Sequence, residues 1–104
     1  MTTSFLYVIG PENIGPIKLG FSKKPTQRLK TMQTAHPCEL KIHHLVEFDS
    51  SKIRSVERVL HKELSHCRTN GEWFNLTPAE AIGTLEHLRI RYEDVSLGII
   101  KSLL

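Results

Sequence analysis

Phe5-Leu6-Tyr7-Val8-Ile9 and Ile17-Lys18-Leu19-Gly20-Phe21 are two short apolar runs separated by Gly10-Pro11-Glu12-Asn13-Ile14-Gly15-Pro16. Both are rich in β-branched and aromatic residues and meet a Gly-Pro pair at the connection, the pattern of strands bounded by turns. The connection is longer than a tight hairpin turn. Its prolines fix φ and its glycines free it, which suits a shaped loop. A link of hairpin length makes the two strands antiparallel neighbours. Within this hairpin, Tyr7 and Lys18 are the side chains with chemistry to offer.

The rest of the chain must supply a core and any further functional groups. With 104 residues, 39% hydrophobic and 24% charged, it reads as one soluble domain with a single modest core. A formal charge of +3 favours an anionic partner such as nucleic acid. Cys38 and Cys67 form no CxxC motif, and no Cys/His cluster has the spacing of a zinc site. No run is long enough to span a bilayer and no signal peptide precedes the first strand, so the expected setting is intracellular, in the cytoplasm.

Going outward from the hairpin, Ser22-Lys23-Lys24-Pro25 opens a helix, with Ser22 or Thr26 as candidate caps and Pro25 in the first turn. Leu29 and Met32 face the core, and His36-Pro37 ends the element. Residues 39–48 form a third strand, in which alternation puts Leu40, Ile42, His44, Val46 and Phe48 on one face. Asp49-Ser50-Ser51 is a cap cluster for a helix over residues 52–66, buried along Ile53, Val56, Leu60 and Leu64. Residues 67–71 read as a loop and 72–76 as a short extended piece. Thr77-Pro78-Ala79-Glu80 has the form of a capping box and starts a third helix reaching Tyr92, with Ile82, Leu85, Leu88, Ile90 and Tyr92 apolar. The expected fold is α+β: a small three-stranded, mostly antiparallel sheet flanked by helices, in the order ββαβα plus a C-terminal helix. The domain covers residues 1–94. Residues 95–104 form an apolar tail that offers a contact for a second copy or a protein partner.

Each candidate residue has a bland reading beside the chemical one. Tyr7 and Lys18 suit ordinary strand positions. Arg28 lies in a basic run with Lys23, Lys24 and Lys30, which serves either as a solvated face or as a phosphate clamp at a helix start. Glu57, between Arg54 and Arg58 on the second helix, makes a surface ion pair or holds a divalent cation with water and phosphate. His61, one turn on, packs at the core edge or carries a proton. Trp73 and Phe74, the one adjacent aromatic pair, plug the core or offer a stacking platform to a base. Glu72, beside Gly71, reads as fixing the loop rather than as catalytic. His36, His43 and His44 have no ligand spacing and read as structural or substrate-facing.

The order of these pieces resembles the GIY-YIG nuclease superfamily, in its branch of short domains from phage and meiotic proteins. The likeness is carried by Tyr7-Val8-Ile9, Ile17-Lys18-Leu19-Gly20, Pro25-x-x-Arg28-Leu29, Val56-Glu57-x-x-Leu60-His61 and Gly71-Glu72-Trp73-Phe74. The resemblance implies metal-dependent hydrolysis of DNA phosphodiesters with Mg²⁺ or Mn²⁺. It gives Tyr7 a part in activating the attacking water, places Lys18 where the second motif usually has tyrosine, and makes Gly20 a packing glycine. It makes Arg28 the phosphate-binding arginine and Glu57 the metal ligand. Many members have a histidine one turn after the arginine, where this chain has Met32 and Gln33, and a later asparagine, for which Asn75 is the nearest candidate. The site set is then Tyr7, Lys18, Arg28 and His61 as catalytic groups, Gly20 as a structural motif residue and Glu57 for the metal. Lys23, Lys24, Lys30, His36, Trp73 and Asn75 are the candidates for DNA contact. The expected activity is that of a DNA endonuclease or nickase acting on DNA away from membranes. The rival readings are a nucleic-acid-binding module without catalysis and a phage regulator of a host protein.

Overall fold

The computed structural model of the chain describes residues 3–91 and 96–100. Its elements are β1 (Thr3–Gly10), β2 (Ile17–Ser22), α1 (Pro25–Gln33), β3 (Lys41–Asp49), α2 (Ser50–Glu63), β4 (Arg68–Asn70), β5 (Trp73–Phe74), α3 (Pro78–Arg91) and β6 (Ser96–Ile100), with a 3-10 turn at Ser65–Cys67. The strands form one sheet in the order β4-β5-β2-β1-β3-β6, and every pairing in it is antiparallel. The α+β class and the flanking helices agree with the sequence reading.

The sheet has six strands where three were expected. β4 and β5 span three and two residues, too short to show alternation, and they form by pairing with what is already there. Phe74 lies opposite Ile17, and Trp73 opposite Lys18. β6 falls in the stretch read as a tail and pairs with β3, with Gly98 opposite Glu47 where the register shifts. The burial expected at Leu88, Ile90 and Tyr92 lies outside the described side chains. Residues 95 and 101–104 of the tail also lie outside the described residues.

Two apolar layers sandwich the sheet. Leu6, Val8, Ile17, Leu19, Val46, Phe48 and Phe74 face α2 and α3, whose Ile53, Val56, Leu60, Ala81 and Leu85 close that core. Tyr7, Ile9, Ile42 and Leu45 face the other way, with Leu29 and Met32 of α1 packed against them. The expected single face of β3 is therefore broken. Val8 pairs with His44 and Ile9 with Ile42, so His43 is an extra residue at a bulge. Such an insertion moves the following side chains to the opposite face. Ile42 packs under α1, while Val46 and Phe48 pack under α2. His44 reaches Glu86 of α3 at 2.9 Å.

The helix starts follow local chemistry. Asp49 caps α2 by accepting from the Ser51 N–H at 2.9 Å. The capping box at α3 is complete: Thr77 N–H donates to Glu80 Oε1 at 2.9 Å and Glu80 N–H to Thr77 Oγ1 at 3.2 Å. α1 has no side-chain cap. Ser22, a candidate cap, instead accepts from the Lys24 N–H at 2.9 Å and shapes the turn that delivers Pro25.

Candidate active site

β1 and β2 build the floor of the site. Tyr7 lies opposite Gly20 in the antiparallel register, so both point to the α1 face. A Cβ on Gly20 would lie 2.5 Å from the Tyr7 hydroxyl oxygen and 2.7 Å from Glu72 Oε1. The missing side chain is thus the gap through which the tyrosine, only 1% exposed, lays its ring over β2 and reaches the sheet edge. Lys18 is not directly across from Tyr7. It pairs with Ile9, and its ammonium stands 5.7 Å from the Trp73 ring centroid.

That edge is open because β5 pairs only with Ile17 and Lys18. At the next residue, Leu19, its hydrogen bonds go to two groups of the site. The Leu19 N–H donates to the Glu72 carbonyl at 3.1 Å, and His61 Nε2–H donates to the Leu19 carbonyl at 3.1 Å. A buried edge strand needs such partners, and here they carry functional side chains. Glu72 arrives on the β4–β5 turn, made possible by Gly71 at φ 57°. His61 arrives on α2 with Glu57 one turn earlier, Nε2 and Oε2 being 4.0 Å apart. Since the Leu19 carbonyl can only accept, the Nε2–H of His61 is used on that carbonyl, and Glu57 Oε2 receives no hydrogen bond from it.

The two carboxylates are in an unusual state. Glu57 Oε2 and Glu72 Oε1 are both buried and have no hydrogen-bond partner, although buried polar atoms are nearly always paired. Burial, then the Glu72 charge, push the Glu57 carboxyl up to about 7, against the pull of Arg54. Tyr7 moves in the same direction, above the ordinary phenol value. Burial, then the Glu72 charge, drive it, outweighing the opposite pull of the nearby Arg28 guanidinium. The cation beside it is Arg28 rather than Lys18, and desolvation is larger.

Arg28 is exposed and joins Ser22, Lys24, Gln27 and Thr31 around a shallow cup of about 240 Å³. The Arg28 charge also acts on the Tyr7 hydroxyl, so the guanidinium lies near the buried tyrosine. Tyr7, Gly20, Arg28, Glu57 and His61 are therefore brought together, and Glu72 joins them. The sequence reading assigned Glu72 to the loop. The signal that could have found it was its place in the Gly71-Glu72-Trp73-Phe74 motif. Lys18, His36 and Trp73 form a separate group beside the site. Lys23 is exposed, and Lys30 lines a cavity with Phe5 and Leu45. Asn75 is exposed, with its N–H on the Cys67 carbonyl at 2.7 Å.

The residues suit a divalent cation that brings most of its own shell. Two carboxylates each bury an unpartnered oxygen, and the charge of Glu72 acts on Glu57. Among the described residues no group of three or more His, Cys, Asp or Glu gathers as a metal cage. Mg²⁺ and Mn²⁺ are commonly held this way, by one or two carboxylates with water and substrate phosphate completing the shell.

Fold and site together define a small antiparallel α+β domain with a pair of buried acids beside a tyrosine and an arginine. The chain belongs to the T5orf172 domain family, whose model matches residues 4–89, a span that includes every residue of the site. No curated protein and no solved structure matches the chain. Among the described residues, no helix is long and apolar enough to cross a membrane.

Proposed function

We propose that this domain is a Mg²⁺- or Mn²⁺-dependent DNA endonuclease or nickase with a site of the GIY-YIG type. The observation that carries the reading is the pair of buried, unpartnered oxygens on Glu57 and Glu72, with Glu72 Oε1 and the Tyr7 hydroxyl meeting at Gly20 and Arg28 acting on that hydroxyl. Glu57 and Glu72 would hold the cation, which would polarise the phosphate, acidify a bound water and stabilise charge on the leaving oxygen.

The protein's own groups do the rest. Arg28, with Lys24 on the same rim, draws in the phosphodiester and neutralises the charge that grows on its non-bridging oxygens. Tyr7 enters as a neutral phenol, so its hydroxyl holds and orients the attacking water by hydrogen bonding. His61 ties α2 to β2 through the Leu19 carbonyl and keeps Glu57 aimed at the site. The basic start of α1, with Lys23, Lys24, Arg28 and Lys30, provides the contacts to the DNA backbone.

A supercoiled-plasmid assay tests this. Wild-type protein nicks in Mg²⁺ or Mn²⁺ and stops in EDTA, and Arg28→Ala nicks about 10²- to 10³-fold more slowly, the loss typical of one transition-state donor. Metal-independent nicking, or nicking untouched by Arg28→Ala, contradicts the assignment.

A further inference from the structure

Beside the acidic pair runs a groove of about 450 Å³, walled by Lys18, Met32, His36, Thr69, Asn70 and Trp73. Its main wall is aromatic. The His36 ring stacks on the Trp73 indole with centroids 5.6 Å apart and planes inclined by 24°. Trp73 is half-buried, packed on one side against the core layer of Tyr7, Ile9 and Leu40. A core plug accounts for that side. It does not account for the groove on the other, nor for the Lys18 ammonium held near the ring.

The wall is also preformed. His36 sits on the α1–β3 connection, and Gln33 pins that segment by donating to the Cys38 carbonyl at 2.8 Å and accepting from the Leu40 N–H at 2.7 Å. A wall of stacked rings with an ammonium at its rim suits a planar π-faced ligand that carries a negative charge. A nucleotide has that chemistry, with its base against the rings and its phosphate toward Lys18. Bases inside a duplex keep their faces covered by their neighbours, so only an unstacked base can enter.

The groove is tied to the acidic site through both strands that carry it. Trp73 directly follows Glu72, and Lys18 is two residues from Gly20 on the same face of β2. We propose that this groove is a subsite for one unpaired nucleobase, so that the preferred DNA carries a single-stranded or extruded nucleotide next to the bond to be cut. The inference rests on the DNA-cleaving reading and adds the substrate class to it.

Trp73 is the only tryptophan in the chain, so its fluorescence reports on the groove without a label. The experiment compares a short oligothymidylate with a duplex of equal length, in EDTA so that nothing is cut, following tryptophan emission together with the anisotropy of dye-labelled DNA. The expected result is that the single strand binds and quenches Trp73 while the duplex leaves its emission nearly unchanged. His36→Ala then weakens single-strand binding about 5- to 100-fold, the range for one stacked base, without altering duplex binding. Binding seen by anisotropy with unchanged emission, equal quenching by the duplex, or wild-type single-strand affinity in folded His36→Ala overturns the subsite and leaves the nuclease reading standing. Failure of both DNAs to bind overturns both.

Discussion

Glu57→Gln is expected to cut DNA about 10³-fold more slowly than wild type and yet to melt at a higher temperature at alkaline pH. The two effects have one cause. Glu57 is kept in a place that disfavours its charge, with Oε2 buried and unpartnered and Glu72 nearby. An amide removes the anion that a cation needs, and with it several kcal/mol of transition-state stabilisation. The same change relieves a folding cost. With its carboxyl pushed up to about 7 from 4.5, protonated Glu57 favours the folded chain. That contribution is complete below the unfolded value and is lost as pH rises through about 7. The cost at alkaline pH is on the order of 2 kcal/mol, since the side chain is 16% exposed and partly screened. In EDTA, Glu57→Gln should therefore melt roughly 5–10 °C above wild type at about pH 8 and nearly level with it at about pH 5. Thermal melts across pH, beside nicking rates, check both halves. A surface ion pair predicts the reverse: little loss of activity and a slightly lower melting temperature.

Gly20→Ala is expected to reduce nicking about 10²-fold or more through one added methyl. That methyl would sit 2.5 Å from the Tyr7 hydroxyl and 2.9 Å from Cζ of the same ring, as well as 2.7 Å from Glu72 Oε1. The Tyr7 ring is embedded in the core layer of Ile9, Ile42 and Leu45, so it yields only with repacking. Overpacking of this kind costs about 1–3 kcal/mol of stability, and displacement of the hydroxyl and carboxylate disables the site. Adding Tyr7→Phe removes the oxygen that makes the shortest contact. The double variant should recover part of the lost stability and none of the activity. Non-additive melting temperatures are the measurement, and a Gly20→Ala protein that nicks at the wild-type rate would show that the position of the hydroxyl does not matter.

How much of this was legible in the sequence follows from how local each signal is. The hairpin, the α3 capping box and the buried stripe of α2 are written in nearest-neighbour patterns, and they hold. Tyr7, Arg28, Glu57 and His61 were legible as a set because their spacing matched a known arrangement. The structure adds that all four reach one edge of β2. The bulge at His43 was not legible, since one extra residue leaves no mark in an alternating run of apolar and polar side chains, and it moves Val46 and Phe48 away from the face of Ile42. β5 and β6 form through pairing partners far away in the chain, which no short window contains, and β4 pairs only with β5. Glu72 was missed for a related reason. Its importance lies in the Leu19 N–H it pairs with and the Gly20 gap it enters, contacts made across about fifty residues of sequence.

The central claim is that Glu57 and Glu72 together hold one divalent cation. The most direct measurement is a Mn²⁺ titration followed by electron paramagnetic resonance at about pH 8, without DNA, on wild type, Glu57→Gln and Glu72→Gln. The account predicts a single Mn²⁺ bound by wild type, lost in Glu57→Gln and weakened at least about tenfold in Glu72→Gln, each carboxylate contributing charge and oxygen to the shell. Equal Mn²⁺ binding by all three proteins would contradict it.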